Sequence, residues 1–124
     1  MSFQAVLEEI VAGCSDCLGA VLMGSDGIPI AEVATDRVPE GPLEEEIGTV
    51  GVEFTRILDE IRKASDAIAG GALGEATILL DRFSIVFRTI DPETFMAVVV
   101  APNGNLGKAR YLMRRHQLSI REEL

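Results

Sequence analysis

The sequence predicts an α+β fold: one five-stranded antiparallel sheet with helices before, within and after it, in the order α-β-β-α-β-β-β-α. Three observations carry this. Between Pro42 and Gly70, apolar or small residues recur at Leu43, Ile47, Val50, Phe54, Ile57, Ile61, Ala64 and Ile68, in steps of 4, 3, 4, 3, 4, 3 and 4. That spacing sets all eight on one face of a single long helix. Two β-type runs precede the helix and three follow it, and within each block short turn-forming segments imply antiparallel pairing. A lone helix that interrupts a sheet must cover one of its faces, so the stripe is expected to lie on the sheet.

The elements follow in order. Phe3 to Ala12 is helical, because Phe3, Val6, Leu7, Ile10 and Val11 share a face and Gly13 is a suitable stop. Leu18 to Met23 is an apolar run of strand type. Gly24-Ser25-Asp26-Gly27 supplies a turn, since Asp-Gly tolerates positive φ. Ile28 to Ala34 returns as the second strand. Pro29 cannot donate a ladder hydrogen bond, so this strand belongs at an edge or starts late. Thr35 to Gly41 is a loop. Pro42 suits a first helical position, and Glu44, Glu45 and Glu46 favour the positive end of the helix dipole. Gly70-Gly71 ends the helix. Three strands follow, at Glu75 to Leu80, Phe83 to Ile90 and Thr94 to Ala101; Phe83, Ile85 and Phe87 alternate with Ser84 and Arg88 as for a sheet with one covered face. Asn103 or Asn105 caps a last helix with an inner stripe of Leu106, Ala109, Leu112 or Met113, and His116.

At 124 residues the chain is expected to be one domain, 1–124, burying roughly two-thirds of its unfolded surface. With 20 acidic and 11 basic residues its net charge is -9. That balance opposes sequence-independent nucleic-acid binding, which depends on neutralising phosphates. The absence of Trp and the single Tyr do not suggest an aromatic-lined pocket. Charge is uneven. Nine acidic residues and two basic ones, Arg37 and Arg56, lie between Glu32 and Glu60, whereas five basic residues and no acidic one lie between Lys108 and Arg121. The asymmetry suits steering of a partner, or a solvated helix with a basic last turn. The start of the chain lacks a basic region, and Glu8 and Glu9 interrupt its apolar stretch, so no signal peptide is expected. No apolar run approaches the roughly 20 residues of a membrane span, and the cytoplasm is the expected compartment.

Motifs that would carry chemistry are weak. Cys14-Ser15-Asp16-Cys17 follows a helix, near the negative end of its dipole and with Asp16 inside it, which disfavours a reactive thiolate. Zinc would need a second ligand pair, and only His116 is available. Gly104-Asn105-Leu106-Gly107-Lys108 stands where a phosphate loop would, but two residues rather than four separate its glycines and Ala109 follows the Lys. No cofactor or metal is expected, and the chain is not expected to be an enzyme. The back of the long helix is more informative. Glu46, Glu53 and Glu60 form an acidic row beside Arg56 and Lys63, and Asp59 and Lys63 have ion-pair spacing. Gly48, Thr55 and Ala69 are small and Val52 is apolar among outward positions, which suits the close approach of another helix as well as plain exposure.

Taken together, the element order, the hairpin Gly19-Ala20-Val21-Leu22-Met23-Gly24-Ser25-Asp26-Gly27-Ile28-Pro29-Ile30-Ala31 and the long following helix resemble the roadblock/dynein-light-chain domain family. The stretch Asn105-Leu106-Gly107-Lys108-Ala109-Arg110-Tyr111-Leu112-Met113-Arg114-Arg115 is similar to its bacterial MglB-like branch. The resemblance implies a profilin-like sandwich, with the long helix on one face of the sheet and the terminal helices on the other. It also implies a homodimer in which the strand after the long helix, apolar here at Ala76, Ile78, Leu79 and Leu80, pairs with its twofold mate. Finally it implies a small Ras-like GTPase as partner, bound over the paired helices, with cell polarity or motility as the setting.

The leading expectation is therefore a homodimeric regulator that stimulates GTP hydrolysis by positioning the GTPase's own groups. Thr55, Arg56, Asp59, Arg62 and Lys63 on the outward helix face are the candidate contacts. Arg37 and Arg82, in loops, are the candidates for an arginine supplied in trans. Two alternatives stay open: an assembly module without effect on hydrolysis, and a PAS-like small-molecule sensor. A thiol-redox enzyme trails them.

Overall fold

Among residues 2–124, which the computed structural model describes, the elements are α1 (Phe3–Ala12), β1 (Cys17–Gly24), β2 (Pro29–Ala34), α2 (Pro42–Glu45), α3 (Thr49–Ala67), β3 (Glu75–Leu79), β4 (Ser84–Asp91), β5 (Thr94–Val100) and α4 (Leu106–Glu123). The strands form one antiparallel sheet in the order β2-β1-β5-β4-β3. Alternation along the strands feeds two cores. Ala20, Leu22, Val86, Met96, Val98 and Val100 pack under α1 and α4 on one face. Val21, Met23, Ile85, Phe87, Phe95, Ala97 and Val99 pack under α2 and α3 on the other. β4 is thus apolar on both faces, with Ser84 itself buried, and the one-covered-face pattern expected there does not hold.

The expected single helix from Pro42 to Gly70 is broken. Glu46 is extended (φ -152, ψ 109), and the helix restarts after Gly48. Two side chains of β2 explain the restart: a Cβ on Gly48 would stand 2.6 Å from a Glu32 carboxylate oxygen and 3.0 Å from Pro29. The Gly48 N–H donates to that carboxylate, which supplies from a neighbouring strand the capping acceptor α3 lacks locally. Gly48 therefore serves the chain's own packing and not the approach of another helix. At its far end α3 closes with Gly70 N–H to Ser65 O (2.8 Å) and Ala69 N–H to Asp66 O (3.2 Å), the paired bonds of a Schellman motif, with Ala69 at φ 55.

The stripe leaves the sheet partway along α3, because a repeat of 3.5 residues drifts round a straight helix. Leu43, Ile47 and Val50 are buried and Phe54 half-buried, as expected. Beyond Phe54 the buried position is Leu58, with Thr55, Arg62 and Ser65 half-buried, while Ile57 (42% exposed), Ile61 (37%), Ala64 and Ile68 (81%) face away from the sheet. The sheet accounts for only the first half of the stripe.

The two sheet edges differ. On β2 the Glu32 carbonyl receives Gln4 Nε2 at 2.9 Å, and Pro29 has no N–H to offer. On β3 the bonds Leu80 N–H to Phe83 O and Thr89 N–H to Gly74 O fix the ladder phase. The N–H and C=O groups of Glu75, Thr77 and Leu79 consequently point out of the sheet. No described strand covers that edge. Leu80, expected to end the strand, lies just past it.

Candidate functional site

The candidate surfaces are the two flanks of α3. One flank meets the β1–β2 turn. Asp26 Oδ1 accepts from Ile28 N–H at 3.0 Å, and Gly27, at φ 86, lays the turn against α3 so closely that a Cβ there would stand 3.2 Å from Thr55 Oγ1. An open cleft results, lined by Ser25, Asp26, Gly27, Ile28, Val52, Thr55, Arg56 and Asp59. Its lining joins two exposed apolar residues, Ile28 (65%) and Val52 (59%), to Arg56, Asp26 and Asp59. Exposed apolar residues beside an arginine and other polar groups are the make-up of a protein-binding patch.

Of the five sequence-derived contact residues, Thr55, Arg56 and Asp59 are brought together here. Thr55 is half-buried and its hydroxyl donates to Gly51 O. Lys63 joins from one turn further on, 3.3 Å from Asp59 and 3.5 Å from Glu60. Its amine is held above its ordinary pKa chiefly by the hydrogen bond to Asp59 and by Glu60. Arg62 is not part of this group: it lies in a separate cleft with Asp66, Leu73, Thr89, Asp91 and Arg121. Sequence reasoning missed Ile28 because only the tertiary fold carries the turn to the helix, whereas Val52 was visible as an apolar residue among outward positions.

On the opposite flank, Glu53 and Phe54 face Leu80 and Phe83 across a cavity of about 240 Å³ that Leu43, Val50 and Ile85 also line. Ile57, Ile61, Ala64 and Ile68 continue that flank by steps of three and four. Below it Ala76 and Ile78, expected at the dimer interface, turn their half-buried side chains toward α3. An exposed apolar helix flank therefore stands beside an open strand edge.

The candidate trans arginines are both engaged. Arg37 donates to the carbonyls of Ser15 and of Cys17, the latter at 2.9 Å, and Arg82 donates to Glu40 O at 2.6 Å. Cys14 and Cys17 are buried free thiols, and burial, then Cys14, push the Cys17 thiol well up, away from the reactive thiolate. Among the described residues no cluster of three metal-binding side chains occurs, and no helix is long and apolar enough to cross a membrane. His116 is mostly buried, 3.8 Å from Glu9.

No family model matches the sequence, and no curated protein matches it. Solved structures do. A roadblock/LC7 domain from Streptomyces avermitilis superposes with a TM-score of 0.84 at 17% identity, over 99% of this chain and 98% of that one. The gliding protein MglB from Thermus thermophilus gives 0.81 at 17% identity, over 97% and 88%. MglC from Myxococcus xanthus gives 0.68 at 29% identity, over the whole of both chains. By fold the chain is thus a roadblock-type domain, and its fold neighbours include the MglB branch.

Proposed function

We propose that this chain is a homodimeric, non-enzymatic regulator of a small Ras-like GTPase, of the MglB/MglC kind. One observation carries the reading: the two flanks of α3 are specialised differently. The flank with Ile57, Ile61, Ala64 and Ile68 adjoins the open β3 edge and suits self-pairing, which would also cover a strand edge that invites aggregation. The flank with Val52, Thr55, Arg56 and Asp59 stays free and suits a second protein. The likeness to MglB and MglC supports a GTPase as that protein.

The test is single-turnover GTP hydrolysis by the small GTPase encoded nearest this chain, with and without it, alongside sedimentation of the chain alone. Stimulated hydrolysis and a dimeric mass are the expected results. Unchanged hydrolysis together with GTP-dependent binding would move the reading to a scaffold. The engagement of Arg37 and Arg82 with backbone carbonyls favours that second reading over an arginine finger. A PAS-like sensor has less support, because both sheet faces are filled by helices.

A further inference from the structure

The cavity beside the N-terminal half of α3 is lined mostly by apolar surface, and the opposite end of the same flank holds Ile68, the most exposed large apolar residue among the described residues. We infer that in the twofold dimer Ile68 of one copy seats in this cavity of the other, so that the pocket is complete only when two copies are present. The inference rests on the dimeric reading above and adds its register.

The argument is geometric. Leu80, just past the end of β3, shares the cavity with Val50 and Phe54, near the start of α3. Leu73, just before β3, shares a cleft with Arg62 and Asp66, near the end of α3. The strand and the helix therefore run antiparallel, with their midpoints level. A strand edge that pairs with its own copy about a twofold axis pairs antiparallel, through one self-complementary patch. The same axis lays the apolar flank of α3 against its mate in reverse order. With Ile57 facing the mate's Ile61, Ile68 falls opposite Val50. With Ile61 on the axis facing its own copy, Ile68 falls opposite Phe54. Both residues line the cavity, so these two registers deliver Ile68 to it. Ile57 on the axis would instead set Ile68 opposite Glu46, outside the cavity, and cross-linking separates that arrangement from them.

Burial of a branched aliphatic side chain in an apolar cavity removes exposed surface on both sides, the main favourable contribution to association. The cavity wall also includes Gly41, Pro42 and Leu43, so the mate's side chain would brace α2 and the loop held by Arg82. Dimerisation would in this way fix a part of each copy that its own sheet leaves loosely covered.

The experiment is thiol cross-linking of the full chain. Positions 53 and 68 are separated by fifteen residues, about 22 Å at the helical rise, which is too far for a bridge within one copy. Glu53→Cys/Ile68→Cys, oxidised or treated with a short bis-maleimide, is expected to give a covalent dimer. So is an equimolar mixture of the two single variants, whereas neither single variant alone should. Ile68→Asp, at a position that leaves the monomer core untouched, is expected to raise the dimer dissociation constant about tenfold or more. A chain that sediments as a dimer but does not cross-link overturns the Ile68 register and leaves the dimer standing. A chain that sediments as a monomer overturns the dimeric reading and this inference with it.

Discussion

Met23 and Gly51 share one volume: a Cβ on Gly51 would stand 1.6 Å from Met23 Sδ and 1.8 Å from its Cε. Met23 is fully buried in β1, next to the turn that carries Ile28. The missing side chain at Gly51 thus sets how closely α3 approaches the sheet, and with it the geometry of both flanks. Gly51→Ala should raise helix propensity by about 1 kcal/mol, but overpacking of a filled core costs about 1–3 kcal/mol. Urea denaturation is expected to show a net loss of stability. Adding Met23→Ala should make the second substitution cheaper than it is alone, because the two residues compete for one space.

Glu32 gives stability a pH dependence. Its carboxyl is held above the ordinary glutamate pKa, first by burial and then by the Glu46 carboxylate, against the Gly48 N–H that lowers it. The folded state therefore binds this proton more tightly than the unfolded state does. The favourable contribution is fully present below the unfolded pKa and is lost as pH rises through the folded one. Glu32→Gln keeps an acceptor for Gly48 and removes the charge. It is expected to raise the melting temperature at pH 7 and to leave it unchanged at pH 3.5. An equal gain at both pH values would exclude the ionic explanation.

Arg37 acts on the fold before it can act on a partner. Its guanidinium joins the carbonyls of Ser15 and Cys17 to the loop after β2. Hydrogen bonds from charged donors are worth about 1.5–3 kcal/mol, with exposed examples at the low end. Arg37→Ala is expected to lower stability by about 1.5–3 kcal/mol while folded protein still stimulates hydrolysis. Arg82→Ala should behave likewise through the lost bond to Glu40 O. Full loss of stimulation at unchanged melting temperature, for either variant, would instead establish a trans arginine.

What the sequence made legible follows from how local each signal is. The strand blocks, the Asp-Gly turn, the Asn105 cap and the edge position of β2 rest on residues within a few positions of one another, and they stand as expected. The break at Glu46 does not, because its causes, Glu32 and Pro29, lie on another strand. An unbroken 4-3 stripe does not by itself show that its second half turns away from the sheet, although the drift of a 3.5-residue repeat round a straight helix carries it there. The same limit hid half of the site. Arg56 and Asp59 could be placed on an outward face, but Ile28 reaches them only through the fold. Gly51 was readable in principle: a glycine within a helical pattern, away from its ends, signals a close approach.

The two flanks of α3 should separate by mutation. Val52→Asp puts a charge among the apolar residues of the cleft, and Arg56→Glu reverses a charge in its lining. Both side chains are exposed, so neither change should disturb the core. Each is expected to weaken GTPase binding at least about tenfold, since central apolar and arginine positions carry most of such interfaces, and to leave the sedimented dimer intact. Ile57→Asp and Ile61→Asp, on the other flank, are expected to dissociate the dimer first. Any loss of GTPase binding in those two variants should then be restored by raising the protein concentration. If Val52→Asp dissociates the dimer and Ile61→Asp does not, the assignment of the flanks is reversed. Self-pairing would then belong on the side of the β1–β2 turn, leaving the open β3 edge for the partner.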